Sequence, residues 1–183
     1  NKLIRGVQPN DFIIYDKLIK TISNKKEPIF DIHDVLFHEG FYYIVGTEGN
    51  EIIKFSSSGE ELQRWVFPGE NDSWHINCLG VLKGRVVFSA FGVFREHREY
   101  KGKSLKSGFV QDLLSGEKII TGLSQPHSIL NFKDNILIAN SETKEIVEFS
   151  ASGERLRSVC FDGYTRGICI VDDIIYLGLS CSR

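Results

Sequence analysis

A chain of 183 residues with 42% hydrophobic and 25% charged side chains has an ordinary globular composition and is long enough to bury a core. Its 22 Lys and Arg against 24 Asp and Glu leave a formal charge of −2, without the positive excess of a nucleic-acid binder. No apolar run approaches the ~18 residues that cross a bilayer, and Asn1-Lys-Leu-Ile-Arg-Gly6 lacks the apolar core of a secretory signal, so neither a membrane nor an export route is expected and a cytoplasmic location is.

Residues 1–30 are expected to form a partial first unit. Asp11 to Ile22, the one stretch with any helical flavour, reads as its outer strands. From residue 31 the chain repeats itself. Four segments, His33–Gly46, His75–Ser89, His127–Asn140 and Arg166–Leu179, each read as a short strand, a polar turn and a more apolar strand. The first residue of each is an imidazole or a guanidinium.

A second repeat follows the first. Glu51-Ile-Ile-Lys-Phe-Ser-Ser-Ser-Gly-Glu-Glu-Leu matches Glu145-Ile-Val-Glu-Phe-Ser-Ala-Ser-Gly-Glu-Arg-Leu at an offset of 94, two periods of 47. A degenerate copy starts at Phe109. All three copies carry Ser-Gly-Glu, at Ser58-Gly59-Glu60, Ser115-Gly116-Glu117 and Ser152-Gly153-Glu154, which predicts hairpins whose Gly takes positive φ. Four strands in a period in the forties predict an all-β fold, a β-propeller of four-stranded antiparallel blades. About four blades are visible and the last copy ends after two strands, so 1–183 is expected to be a single propeller domain or a fragment of one. The missing Met agrees with a processed or trimmed chain, and an incomplete ring predicts self-association or a further chain that completes it.

The run Arg95 to Lys106 lengthens the third period and reads as a solvated loop, with an anion-binding patch as the lesser alternative. His97 in it, and His38 in the first turn, are expected to face solvent. Trp65 and Trp74 read as blade packing. The cysteines at 78, 160, 169 and 181 lack C-x-x-C spacing. Cys78 and Cys169 occupy the same place in two repeats, expected to be a small buried slot. No G-x-S-x-G elbow or P-loop occurs.

Equivalent repeat positions place His33, His75, His127 and Arg166 at one height of the innermost strands. Three imidazoles in one register are the donor set of a catalytic zinc or other divalent-metal site, and Arg166 suits a carboxylate or oxyanion. The alternatives are an anion site without metal and a channel of structural polar groups. Asp34, Asn77 and Ser128 are the polar neighbours, with Asp34 a candidate acceptor for His33.

At the same residues the chain resembles an uncharacterised bacterial β-propeller family, a domain of unknown function. The resemblance rests on His33-Asp34, His75-Ile76-Asn77, Gly122-Leu-Ser-Gln-Pro-His-Ser128, Arg166-Gly167 and Gly178-Leu-Ser-Cys-Ser-Arg183, in order over about residues 31–183. The sequence departs from the pattern at Ile129-Leu130. The resemblance implies the fold and no activity. More distantly, the residue types are similar to those of the propeller lyase that completes peptide amidation, which implies zinc on His33, His75 and His127 with Arg166 orienting a substrate. Three functions are therefore expected in turn: binding of a small polar or anionic ligand, metal-dependent lyase or hydrolase chemistry, and a protein-interaction scaffold.

Overall fold

Alternating apolar and polar residues separated by Gly-containing turns fold here into antiparallel strands, with no helix among the described residues. The computed structural model describes the backbone of residues 2–7, 11–16 and 22–25 and all of residues 29–181. Strands β1 (Lys2–Val7), β2 (Asp11–Asp16) and β3 (Ile22–Lys25) make a three-stranded sheet in the order β1-β2-β3. Of the stretch expected to form outer strands, residues 17–21 lie outside the described residues, as does Arg183 of the last motif.

Three complete four-stranded sheets follow. They are β4 (Ile32–His38), β5 (Phe41–Gly46), β6 (Glu51–Phe55) and β7 (Glu61–Val66); β8 (Ile76–Leu82), β9 (Arg85–Ala90), β10 (Gly108–Asp112) and β11 (Lys118–Leu123); and β12 (Pro126–Phe132), β13 (Asn135–Asn140), β14 (Glu145–Ser150) and β15 (Arg155–Cys160). A last pair, β16 (Tyr164–Val171) and β17 (Ile174–Ser180), repeats the first half of the pattern. Each complete sheet is an up-and-down meander in sequence order, which is the build of a propeller blade.

The Ser-Gly-Glu turns are the hairpins that the repeat predicts. Gly59, Gly116 and Gly153 have φ of +82°, +74° and +86°. In the outer two copies the amide of Ser56 or Ser150 donates to the carbonyl of Glu60 or Glu154 at 2.8 Å.

The chain divides into two compact units, residues 1–76 with 94–99 and residues 77–93 with 100–183. In the first unit, Ile29, Ile32, Tyr42, Ile44, Ile53 and Phe55 form a buried cluster under the sheet β4–β7. In the second, Cys78, Val87, Val110, Ile120, Ile129, Ile138 and Val147 pack the sheets β8–β11 and β12–β15 together. Leu137, Ala139, Ile146 and Ile168 join β12–β15 to the hairpin β16–β17. The sheets of this unit approach closely at Gly80, where a Cβ would lie 2.9 Å from the Cβ of Ile129.

One expectation is corrected. Cys78 is buried, but Cys169 is exposed with most of β16–β17, because among the described residues no further sheet covers that face. The charged run is the solvated loop expected, with Arg95, Glu96, Lys101, Lys103 and Lys106 exposed, and it is also anchored. Tyr100 and Ser104 are buried, and Arg98 Nε binds Asp72 Oδ2 at 2.6 Å. Arg98 can do this because Asp72, in the turn before β8, has no solvent exposure of its own and needs compensating donors.

Candidate functional site

The inner strands carry a device that the sequence does not announce. In β4 the pairing with β5 passes from Ile32 to Asp34 and leaves His33 out. In β12 it passes from His127 to Ile129 and leaves Ser128 out, and in β16 it passes from Thr165 to Ile168 across Arg166 and Gly167. A bulge breaks the alternation of the strand and re-aims the side chain beside it. Three of the four inner strands thus lose register where the basic residue stands.

In the first unit, His33 and His75 meet edge to face with ring centroids 5.0 Å apart. Each is backed by a carboxylate. His33 Nε2 lies 3.2 Å from Asp31 Oδ2, and His75 Nδ1 lies 2.7 Å from Asp72 Oδ1. Asp31, Asp72 and His75 all have positive φ (55°, 52° and 47°), so tight turns deliver the carboxylates to the rings. Burial, joined by the charge of His75, holds the His33 imidazole below its ordinary value, with Asp31 pulling the other way. For Asp72, burial pushes the carboxyl up. The hydrogen bonds and charges of His75 and Arg98 outweigh it and leave the group lowered. Asp34 accepts from the amide of its own neighbour Val35 at 2.8 Å, and the carboxylate paired with His33 is Asp31.

In the second unit, His127 and Arg166 meet. His127 Nδ1 is 2.9 Å from the carbonyl of Gln125 and 2.7 Å from Ser141 Oγ, and its Nε2 accepts from Arg166 Nη1. Arg166 Nε donates to Ser180 Oγ at 3.3 Å, and the guanidinium lies over the Tyr164 ring at 4.6 Å. His127 keeps 8% of its surface and packs against Phe91 and Tyr164. Ser128 Oγ accepts from the amide of Ile168 at 3.2 Å, tying β12 to β16, while Asn77 is buried at the start of β8.

Sequence reasoning missed Asp31, Asp72, Arg98, Gln125, Tyr164 and a set of hydroxyls. Thr47, Ser89, Ser141 and Ser180 each stand 14 residues after the leading basic residue of their copy. Thr47 Oγ1 donates to the carbonyl of Ile76 at 2.6 Å, Ser89 Oγ to that of Pro126 at 3.3 Å, and Ser141 Oγ to that of Thr165. Each therefore latches the opening of the next inner strand. The constant spacing was the available signal.

His97 is exposed, as expected, and its Nδ1 also meets the carbonyl of Asn71 at 2.7 Å; His38 is instead partly buried beside Glu39 at 3.8 Å. Trp74 packs on Phe67 and Trp65 on Tyr43, as blade packing requires. Among the described residues no three His, Cys, Asp or Glu side chains are grouped to hold a metal ion. Among the described residues no helix is long and apolar enough to cross a membrane; strands are not addressed by that observation.

The chain matches the family described as domain of unknown function DUF4915 over residues 22–183. It belongs to that family. No curated protein sequence matches it. Solved structures share its fold. A protein of unknown function from Bacteroides caccae superposes with a TM-score of 0.63 at 17% identity, over 94% of this chain and 62% of that one. BamB from Moraxella catarrhalis gives 0.60 at 10% identity, over 97% and 51%. Virginiamycin B lyase from Staphylococcus aureus gives 0.63 at 12%, over 96% and 64%. The latter two are β-propellers, and this DUF4915 domain has the same all-β propeller architecture. The chain spans between half and two thirds of the length of these structures.

Proposed function

We propose that this DUF4915 domain binds a small anionic ligand, with Arg166 as the residue that contacts the anion. One observation carries the reading. The guanidinium of Arg166 is half-buried and held by the Tyr164 ring, the Nε2 lone pair of His127 and the Ser180 hydroxyl. These contacts fix its plane. A pre-oriented guanidinium in a partly dry setting matches the two oxygens of a carboxylate or phosphate. A hydrogen bond to a charged group contributes about 1.5–3 kcal/mol, so Arg166→Ala is expected to weaken binding about 10- to 150-fold. The test is calorimetric titration of wild type, Arg166→Ala and Arg166→Lys with succinate and inorganic phosphate. Lys keeps the charge but not the planar fork, and it is expected to fall between the other two. Equal binding by wild type and Arg166→Ala, or no binding of either anion, would overturn the proposal.

A second reading is favoured by the carboxylate-backed imidazoles of the first unit. A ring nitrogen held by a carboxylate is the arrangement that orients metal-binding histidines. His33 and His75 would then supply two donors to a divalent metal such as zinc, with the remaining positions filled by water or substrate. His127 is less suited to join them, because its Nε2 lone pair is engaged by Arg166. Metal content of wild type beside His33→Ala/His75→Ala tests this reading. A metal bound equally by both proteins would refute it.

A further inference from the structure

We infer that His127 and Ser141 are positioning residues for Arg166, acting through a single fixed tautomer of the His127 ring. The role of the positioned cation in anion binding rests on the proposal above; the tautomer and the hydrogen-bond chain do not.

The argument follows the protons. A neutral imidazole has one N–H and one lone pair. The carbonyl of Gln125 can only accept, so the N–H of His127 is on Nδ1, 2.9 Å away. Ser141 Oγ, 2.7 Å from the same nitrogen, commits its own hydrogen to the carbonyl of Thr165, so it too accepts from Nδ1. Nε2 is left with the lone pair. It faces Arg166 Nη1, which can only donate. The opposite tautomer would set N–H against N–H at Arg166 and a lone pair against the carbonyl of Gln125. An imidazolium would also set two cations together.

The supports of the ring are themselves held. Gln125 sits at φ +52°, and its Nε2 donates to Ser104 Oγ at 2.7 Å, while Ser104 donates to Glu142 Oε2 at 2.9 Å. Ser104 and Ser141 have no solvent exposure. Thr165, whose carbonyl Ser141 grips, immediately precedes Arg166, so one hydroxyl restrains both the ring under the guanidinium and the backbone that carries it. Removing Ser141 Oγ frees the carbonyl of Thr165 and leaves Nδ1 with one acceptor instead of two.

The experiment is nitrogen NMR of the histidine rings in wild type, Ser141→Ala, Ser141→Thr and Ser89→Ala, together with titration by succinate and inorganic phosphate. Wild type is expected to show His127 with Nδ1 protonated and Nε2 bare. Ser141→Ala is expected to keep Nδ1 protonated, which Gln125 and Arg166 still dictate, but to show a displaced Nδ1 resonance from the lost acceptor and a loss of about threefold to tenfold in anion affinity, the usual worth of one buried hydrogen bond. Ser141→Thr, which keeps the hydroxyl, is expected to restore both. Ser89→Ala removes a latch of the same kind without removing a partner of His127, and it should leave the Nδ1 resonance unchanged. A protonated Nε2 in wild type overturns the inference, as does a Ser141→Ala variant with the wild-type Nδ1 resonance and affinity. An Nδ1 resonance that moves in Ser141→Ala, in a protein that binds neither anion, supports the positioning chain and removes the binding proposal.

Discussion

Two glycines in equivalent turns separate backbone strain from packing. Gly116 and Gly153 both occupy the Ser-Gly-Glu hairpins, with φ of +74° and +86°. A Cβ on Gly116 would meet nothing within 4 Å, whereas one on Gly153 would lie 2.2 Å from the carbonyl oxygen of Ile119 in β11. Replacing either by Ala places an L side chain in the left-handed region, at about 1–2 kcal/mol. At Gly153 the new methyl must also move roughly 1 Å away from a backbone atom to reach van der Waals distance. Overpacking of that kind costs about 1–3 kcal/mol more. Gly116→Ala is thus expected to lose about 1–2 kcal/mol and Gly153→Ala about 2–5. Urea denaturation of both variants beside wild type, with the slope shared, gives the difference directly. Equal losses at the two positions would refute the reasoning, because they would mean that the turn between β14 and β15 does not seat against β11.

Thr47→Val, which keeps shape and removes the hydroxyl, is expected to cost about 1–3 kcal/mol by stranding the buried carbonyl of Ile76, and Thr47→Ser to recover most of it in the same denaturation assay. Asn50 donates to the carbonyl of Glu70 and to Ser73 Oγ and accepts from the amide of Trp74, so Asn50→Ala should lose about 2–4 kcal/mol and loosen the turn that carries Asp72 and His75; unchanged hydrogen-exchange protection of the Trp74 amide would contradict this. Hydrogen bonds from Arg157 and then Asn135 hold the Glu148 carboxyl below its ordinary value, against the effect of burial. A lowered carboxyl stabilises the fold above the unfolded-state range and loses that contribution as pH falls through the folded value, so the stability gap between wild type and Glu148→Gln is expected to close on going from about pH 7 to about pH 3, followed by urea midpoints.

The strands were legible because two independent repeats, one led by a basic residue and one built on Ser-Gly-Glu, both demanded period-two patterning and a turn at fixed offsets. Placing equivalent residues at equivalent positions put His33, His75, His127 and Arg166 in one expected set, and the structure pairs His33 with His75 and His127 with Arg166. What escaped was what breaks the repeat. A bulge at Ser128 or Arg166 has no composition of its own, since the residues skipped in the pairing could sit in a regular strand. Asp31 and Asp72 lie in the turns before the strands, outside the aligned copies, so the carboxylate partner of His33 could not be told from Asp34. The loop from Arg95 is solvated as its alternating charges suggested, but nothing in its own sequence says that Arg98 meets a buried Asp72.

The latch hydroxyls also bear on why the position 14 residues earlier is basic or imidazole. A serine hydroxyl has one hydrogen, and at Ser141 it goes to the carbonyl of Thr165. What is left of that oxygen can only accept, so the residue that packs on it must bring an N–H. His127 does so through Nδ1, and Arg166 brings its Nε to Ser180. A carboxylate at His127 would set lone pairs against the hydroxyl oxygen, and it would also remove the neutral acceptor under Arg166 in favour of an ion pair. The repeat therefore requires a donor at this position for structural reasons in that copy. Chemistry enters where the donor changes from His to Arg, because the guanidinium satisfies the latch with one N–H and keeps its charge. Arg166→His, which restores the residue of the other three copies, is then expected to preserve the fold and lose the anion.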